Sequence, residues 1–245
     1  MSIYHARRGQ VAYGYAIGVL CAEWHIPFIP GDLNNANTFN FPVRYLSVPG
    51  ASGSGVLNGS DPKLEQLFIE AAQQLESEGI RAITSNCGFM GAYQQAVADA
   101  VSVPVFMSSL IQAPLVQSML GTQRKLGVLV ANGEGVTDRL LAGAGITDLS
   151  KITLAGLEKN EHWNEVILQE LGTLDEHRIR AEVVATAVEM TTNDPSIGAL
   201  LLECSDLPPY SADVSKATGL PVYDWAGFIR FVYDAVVPRT YGGIT

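Results

Sequence analysis

The sequence predicts an α/β fold of two pseudo-symmetric lobes, each a short parallel sheet flanked by helices, with a site in the cleft between them. Three observations predict it. Short apolar runs alternate with stretches of helical periodicity, the second half of the chain repeats the first, and each half carries one cysteine just past an apolar run.

The apolar runs are Ile17 to Cys21, Ile80 to Thr84, Val103 to Met107, Leu126 to Ala131, Ile152 to Leu157, Ile197 to Leu202 and Leu220 to Tyr223. Interleaved with helices, they read as buried parallel strands, because helices cover both faces of a parallel sheet. Leu64, Leu67, Phe68, Ala71 and Leu75 form an apolar stripe at helical spacing, introduced by Asp61 as N-cap and Pro62 in the first turn. A further helix is expected from Glu176 to Met190. There Ile179, Val183 and Ala187 recur every four residues, and Asn193-Asp194-Pro195 follows as a stop.

Shifting the chain by 117 residues places Ile80 on Ile197, Cys87 on Cys204, Tyr93 on Tyr210 and Val103-Pro104-Val105-Phe106 on Leu220-Pro221-Val222-Tyr223. A shift of 109 places Ile17-Gly18-Val19-Leu20 on Leu126-Gly127-Val128-Leu129. Duplication is the economical reading. It divides the chain into a first lobe over 1–108, with 226–245 packing back on it, and a second lobe over 109–225. Tyr93 and Tyr210 read as packing residues.

With 15 Lys+Arg against 25 Asp+Glu, the formal net charge of −10 has the wrong sign for nucleic acid or an anionic membrane surface. The apolar runs are also far too short to span a bilayer. Arg7 and Arg8 ahead of Val11 to Ala22 only loosely resemble a secretory signal, because Tyr13, Gly14, Tyr15 and Gly18 dilute the apolar stretch. Three widely spaced cysteines without a CxxC pair form neither a disulfide framework nor a zinc site. A cytoplasmic setting is expected. His5, His25, His162 and His177 share no metal-ligand spacing with acidic residues, so no metal is expected either.

Ligands bind beyond the carboxyl ends of parallel strands, which is where Cys87 and Cys204 fall. A thiol at a helix N-terminus is expected to have its pKa lowered toward neutrality, and the N–H groups of Gly88, Phe89, Ser205 and Asp206 can hold a carboxylate. Two thiols facing each other can remove a proton from one side of a carbon and return one to the other, without a cofactor.

These features resemble the aspartate/glutamate/hydantoin racemase superfamily over nearly the whole chain. The family's Cys-Thr-(Glu or His)-Leu-Pro signature here reads Cys204-Ser205-Asp206-Leu207-Pro208. The resemblance implies that Cys87 and Cys204 are the acid/base pair, that Asp206 assists the thiol, and that Ser205 contacts the substrate carboxylate. Where amino-acid racemases read Cys-Asn-Thr, this chain reads Cys87-Gly88-Phe89, so Asn86 or Asn132 is expected to supply a replacement donor. The expectation is a cofactor-independent racemase or epimerase acting beside a carboxylate. The superfamily's arylmalonate decarboxylases, maleate cis-trans isomerases and algal dimethylsulfoniopropionate lyases make a lyase, decarboxylase or isomerase the alternative. A non-catalytic carboxylate-binding protein is a second alternative.

The polar stretch Gly31 to Thr38 is expected to touch substrate through Asn34 and Thr38. Gly50 to Gly55 lacks the Gly-Lys-(Ser/Thr) of a phosphate loop and reads as a linker or lid. The expected partner is a small carboxylate, with a homodimer or other homo-oligomer as the assembly.

Overall fold

The computed structural model describes residues 3, 5–6, 10–57 and 62–243. Arg7, Arg8 and the expected N-cap Asp61 lie outside them. The first set of strands is β1 (Ile17–Glu23), β2 (Val43–Ser52), β3 (Ala82–Ser85) and β4 (Val105–Phe106); the second is β5 (Lys125–Val130), β6 (Ile152–Gly156), β7 (Ile197–Leu202) and β8 (Val222–Tyr223). Each set forms one parallel sheet, in the order β2-β1-β3-β4 and β6-β5-β7-β8. The identical order is the duplication seen in three dimensions.

The helices are α1 (Gly53–Leu57), α2 (Pro62–Ser77), α3 (Gln94–Asp99), α4 (Gln112–Met119), α5 (Asp138–Gly143), α6 (Glu161–Trp163), α7 (Glu176–Asn193), α8 (Ser211–Thr218) and α9 (Trp225–Val236). The two helices expected from periodicity are α2 and α7. Leu64, Phe68, Ala71 and Leu75 of α2 are buried, as are Ile179, Val183, Ala187 and Met190 of α7. Asp175 caps α7, accepting from the N–H groups of His177 and Arg178. Each of the seven apolar runs contains a strand. β2 had no such run because it is an edge strand with only Val48 and Ala51 buried, and its polar residues mask the period.

The repeated glycine has a packing reason. A Cβ at Gly18 would lie 2.8 Å from Leu75 Cδ1, and one at Gly127 would lie 2.7 Å from Leu200 Cδ2 and 2.8 Å from Met190 Cε. Helices α2 and α7 therefore sit closer to β1 and β5 than a side chain there would allow.

Helix α9 lies against the first sheet. Its Trp225, Ala226, Phe228 and Ile229 form one apolar cluster with Ile17, Leu33, Phe39, Ala82 and Phe106. Trp225 is fully buried and its Nε1 donates to Thr84 Oγ1 at 3.2 Å. Trp225→Ala is expected to cost about 3–5 kcal/mol of stability in urea unfolding, from lost burial plus the cavity left behind; a loss under about 1 kcal/mol would show that α9 contributes little to the first lobe.

Candidate active site

The site is built where β3 and β7 end. The segment Ser85-Asn86-Cys87-Gly88-Phe89 leaves one sheet and Leu202-Glu203-Cys204-Ser205-Asp206 leaves the other, and hydroxyl groups join the two. Ser205 Oγ donates to the Asn86 carbonyl at 2.8 Å, Ser109 Oγ donates to the Glu203 carbonyl at 2.8 Å, and the Leu33 N–H donates to the Ser205 carbonyl at 3.3 Å. These bonds hold the two cysteine-bearing turns against one narrow cavity, lined by Trp24, Phe28, Phe89, Cys87, Cys204 and Glu203 among others. One turn of π-helix, Asn164–Leu168, supplies Ile167 and Leu168 to its wall.

The expected site residues divide. Cys87, Cys204, Asp206, Asn86, Gly88, Phe89 and Ser205 all line the cavity. Asn34 lines the neighbouring depression, which shares Trp24, Phe28 and Asn86 with it. Thr38 and Asn132 are elsewhere. The Thr38 hydroxyl bonds within its own loop, donating to the Asp32 carbonyl and accepting from the Gly31 N–H, while Asn132 Oδ1 accepts from the Glu134 N–H and caps the turn Gly133–Gly135. Gly50 to Gly55 is not an unstructured connection. It ends β2 and begins α1, with Gly53 packed against the Trp24 ring.

Neither asparagine supplies the replacement donor. Both ends of the Asn86 amide are used by Ala22, accepting from its N–H and donating to its carbonyl, each at 3.0 Å. The space beside Gly88 is filled instead by Glu203: a Cβ on Gly88 would lie 1.6 Å from Glu203 Oε1.

The thiols correct the expectation of lowered pKa values. Burial pushes both up, and the neighbouring carboxylates add to it: Glu203 and Asp206 act on Cys87, and Asp206 and Glu203 on Cys204. The N–H groups of Phe89 and Met90 at Cys87, and of Asp206 at Cys204, pull the other way and do not offset the desolvation. In the unliganded protein both cysteines are therefore neutral thiols. The Cys204 thiol donates to Asp206 Oδ2 at 3.2 Å, which supplies it with a proton acceptor.

Two further carboxyls belong to the site. Glu203 is fully buried, and desolvation foremost pushes its pKa up to about 7. Asp32, also buried, is raised well above the carboxylate range, first by burial and then by the charge of Asp206, to which it hydrogen-bonds. Asp32 thus holds its proton beside Asp206. Among the described residues the lining contains no Lys, Arg or His, and its ionisable groups there are carboxyls and thiols. Glu203 carried a readable signal, a charged residue directly after an apolar strand run, and Asp32 lay inside the polar loop read for its neighbours.

Solved structures share the fold. An arylmalonate decarboxylase variant in its sulfate-associated form superposes with a TM-score of 0.61 at 19% identity, covering 91% of this chain and 94% of that one. A glutamate racemase from Bacillus anthracis gives 0.60 at 16% identity, covering 91% and 81%. This is the two-lobed fold of the aspartate/glutamate/hydantoin racemase superfamily.

Sequence relatives narrow the placement. A dimethylsulfoniopropionate lyase of Durusdinium sp. clade D is 34% identical over 215 residues, covering 85% of this chain and 71% of that protein. Dimethylsulfoniopropionate lyase 7 of Emiliania huxleyi is 31% identical over 217 residues, covering 85% and 63%. The chain belongs to the family of these lyases and has the fold those solved structures share. It spans 63% and 56% of two of the Emiliania huxleyi relatives, which are longer proteins. No family model matches the chain.

The electrostatic account makes a measurable demand. Asp206→Asn removes the charge that contributes most, after burial, to raising the Cys204 thiol, so the pH midpoint of Cys204 alkylation, followed by peptide mass spectrometry, is expected to move down; an unchanged or higher midpoint would contradict it.

Proposed function

We propose that the chain is a cofactor-independent lyase. In this reading it removes a proton from the carbon beside a carboxylate and expels a cationic β-substituent, with dimethylsulfoniopropionate as the substrate. The observation that carries the reading is the charge and shape of the cavity. Aromatic rings of Trp24, Phe28 and Phe89 line it together with the carboxyl groups of Glu203 and Asp206, and no basic side chain joins them among the described residues. Aromatic faces and carboxylates attract a sulfonium as they do a quaternary ammonium, at about 0.5–2 kcal/mol per ring. A second carboxylate on the substrate, as in aspartate or glutamate, would enter this acidic, apolar space without a counter-charge.

The sulfonium also answers the problem of the thiols. A positive charge beside a buried thiol favours its thiolate, so the sulfonium of this substrate offsets the carboxylate charges that add to burial in raising Cys204. Asp206 accepts the thiol proton, and the Cys204 thiolate then takes the proton from the carbon next to the substrate carboxylate. The electron pair left on that carbon forms the carbon–carbon double bond of acrylate. The carbon–sulfur bond breaks with its own pair on sulfur, releasing neutral dimethyl sulfide. Cys87, bonded by the N–H groups of Phe89 and Met90, lines the same cavity and serves in this reading as the second acid/base group.

The racemase reading remains the second, supported by one thiol in each half at equivalent positions. The two readings separate in one experiment. Incubated with dimethylsulfoniopropionate, the protein is expected to release dimethyl sulfide and acrylate. Cys204→Ser and Cys87→Ser are each expected to lose at least about a hundredfold in turnover, as when a positioned acid or base is removed, while Cys21→Ser stays near wild type. Absence of dimethyl sulfide, together with deuterium wash-in from deuterium oxide beside the carboxylate of a chiral acid, would replace the lyase with a racemase. Full activity in the double cysteine variant would end both.

A further inference from the structure

Glu203 and Asn86 occupy equivalent positions in the duplicated fold, separated by the same 117 residues as the cysteines that follow them. Both reach across to the end of the neighbouring strand. Asn86 bonds the N–H and the carbonyl of Ala22, and Glu203 Oε2 accepts from the N–H of Ala131, the residue equivalent to Ala22, at 3.3 Å. The symmetry then breaks. The Ala131 carbonyl is taken by Trp163 Nε1 at 3.0 Å, and a glutamate is one methylene longer than an asparagine. Its Oε1 therefore passes beside Gly88 into the cavity wall and has no hydrogen-bond partner among the described residues, although Glu203 is completely buried.

A buried oxygen without a partner is costly, and a site that keeps one has a use for it. The other polar lining side chains are occupied: the Asn86 amide by Ala22, the Ser205 hydroxyl by the Asn86 carbonyl, and Asp206 by the Cys204 thiol. Among the described residues lining the cavity, Trp24 Nε1 shares the condition of Glu203 Oε1. The geometry points to Glu203 as a substrate-binding acid: in its neutral form, Oε1 donates a hydrogen bond to the substrate's carboxylate and strengthens it as charge moves onto that group during proton removal. This rests on the reading of the cavity as the seat of a small carboxylate. It also explains why the position after Cys87 is glycine, since any side chain there would collide with the donor.

The groups facing Glu203 are Cys87 from the end of β3, Cys204 and Asp206 on its own segment, and Asp32 behind Asp206. The thiols titrate far higher and Asp32 holds its proton against Asp206, whereas Glu203 changes charge around 7. An ionised Glu203 repels a carboxylate that a neutral one binds.

Propionate tests this, because it has a carboxylate and no leaving group, so its binding is independent of whether the protein is a lyase. By titration calorimetry, wild-type affinity for propionate is expected to fall by about tenfold per pH unit above about 7, with proton uptake on binding. Glu203→Gln keeps a donor that cannot titrate, and its affinity is expected to stay flat over the same range; the Trp24 N–H does not titrate and contributes no slope. In wild type labelled with carboxyl-13C glutamate, the infrared band of a protonated side chain is expected to vanish as pH rises through 7 and to return on adding propionate. A flat wild-type profile, a slope surviving in Glu203→Gln, no propionate binding, or no such band would each overturn the assignment. Dimethyl sulfide release does not enter any of these readouts, so failure of the lyase reading alone leaves them standing.

Discussion

Two hydroxyl groups hold the site together. Ser205 donates to the Asn86 carbonyl and Ser109 to the Glu203 carbonyl, both at 2.8 Å and both buried, so the segment after β7 is bonded directly to the segments after β3 and β4. Peptide carbonyls at strand ends would otherwise seek solvent. Satisfying the Asn86 carbonyl from the second lobe and the Glu203 carbonyl from Ser109 closes the cleft floor, and the burial that follows sets the chemistry above it. It makes a carboxyl at Glu203 hold its proton up to about 7 and keeps both thiols neutral.

Magnitude decides between the two effects acting on the cysteines. A helix N-terminus stabilises a negative charge by about 0.3–1 kcal/mol, and by about 2 in favourable geometry. Full burial can move a pKa by about 3–5 units, at about 1.36 kcal/mol per unit. Backbone N–H groups do reach Cys87 and Cys204, yet desolvation and the nearby carboxylates outweigh them. Activation of either thiol must then come with the substrate, and a cation is the ligand charge that supplies it. A resting site of neutral thiols also protects cysteines from oxidation, which proceeds through the thiolate.

The sequence revealed most of the frame and about half of the site. Apolar runs are legible because burial on both faces of a parallel sheet leaves no room for polar alternation, and the 117-residue repeat is legible because equivalent strands bury equivalent residues. β2 escaped because an edge strand, with Val48 and Ala51 alone buried, has no such constraint. Thr38 and Asn132 were chosen as donors by residue type, but the Thr38 hydroxyl is spent within its own loop and Asn132 caps its own turn through Oδ1, away from the cavity lining. Trp24 and Phe28 reach the cavity from the connection after β1, which no periodicity describes. Glu203 was visible as an acid at the end of an apolar strand, but its meaning depends on Gly88, 115 residues earlier, and only folding brings them together.

Duplication supplies symmetry, and the chemistry depends on where symmetry fails. Inverting a carbon in both directions asks for two groups of comparable acidity on opposite faces, each able to give and take a proton. Here the halves differ at every point that touches a thiol. Cys204 donates to Asp206, whose equivalent in the first half is Phe89; Cys87 is followed by Gly88, whose equivalent is Ser205; and Asn86, both amide ends satisfied, stands opposite Glu203 with one oxygen unsatisfied. The Cys204 thiol has Asp206 as a proton acceptor, and the equivalent position beside Cys87 is the ring of Phe89. That asymmetry accords with the proposed lyase, which moves a proton one way, more than with a return from the far side. The duplicated frame is alike in its strands and differs at three paired strand-end positions, 86 and 203, 88 and 205, 89 and 206, which is where the two thiols acquire different surroundings.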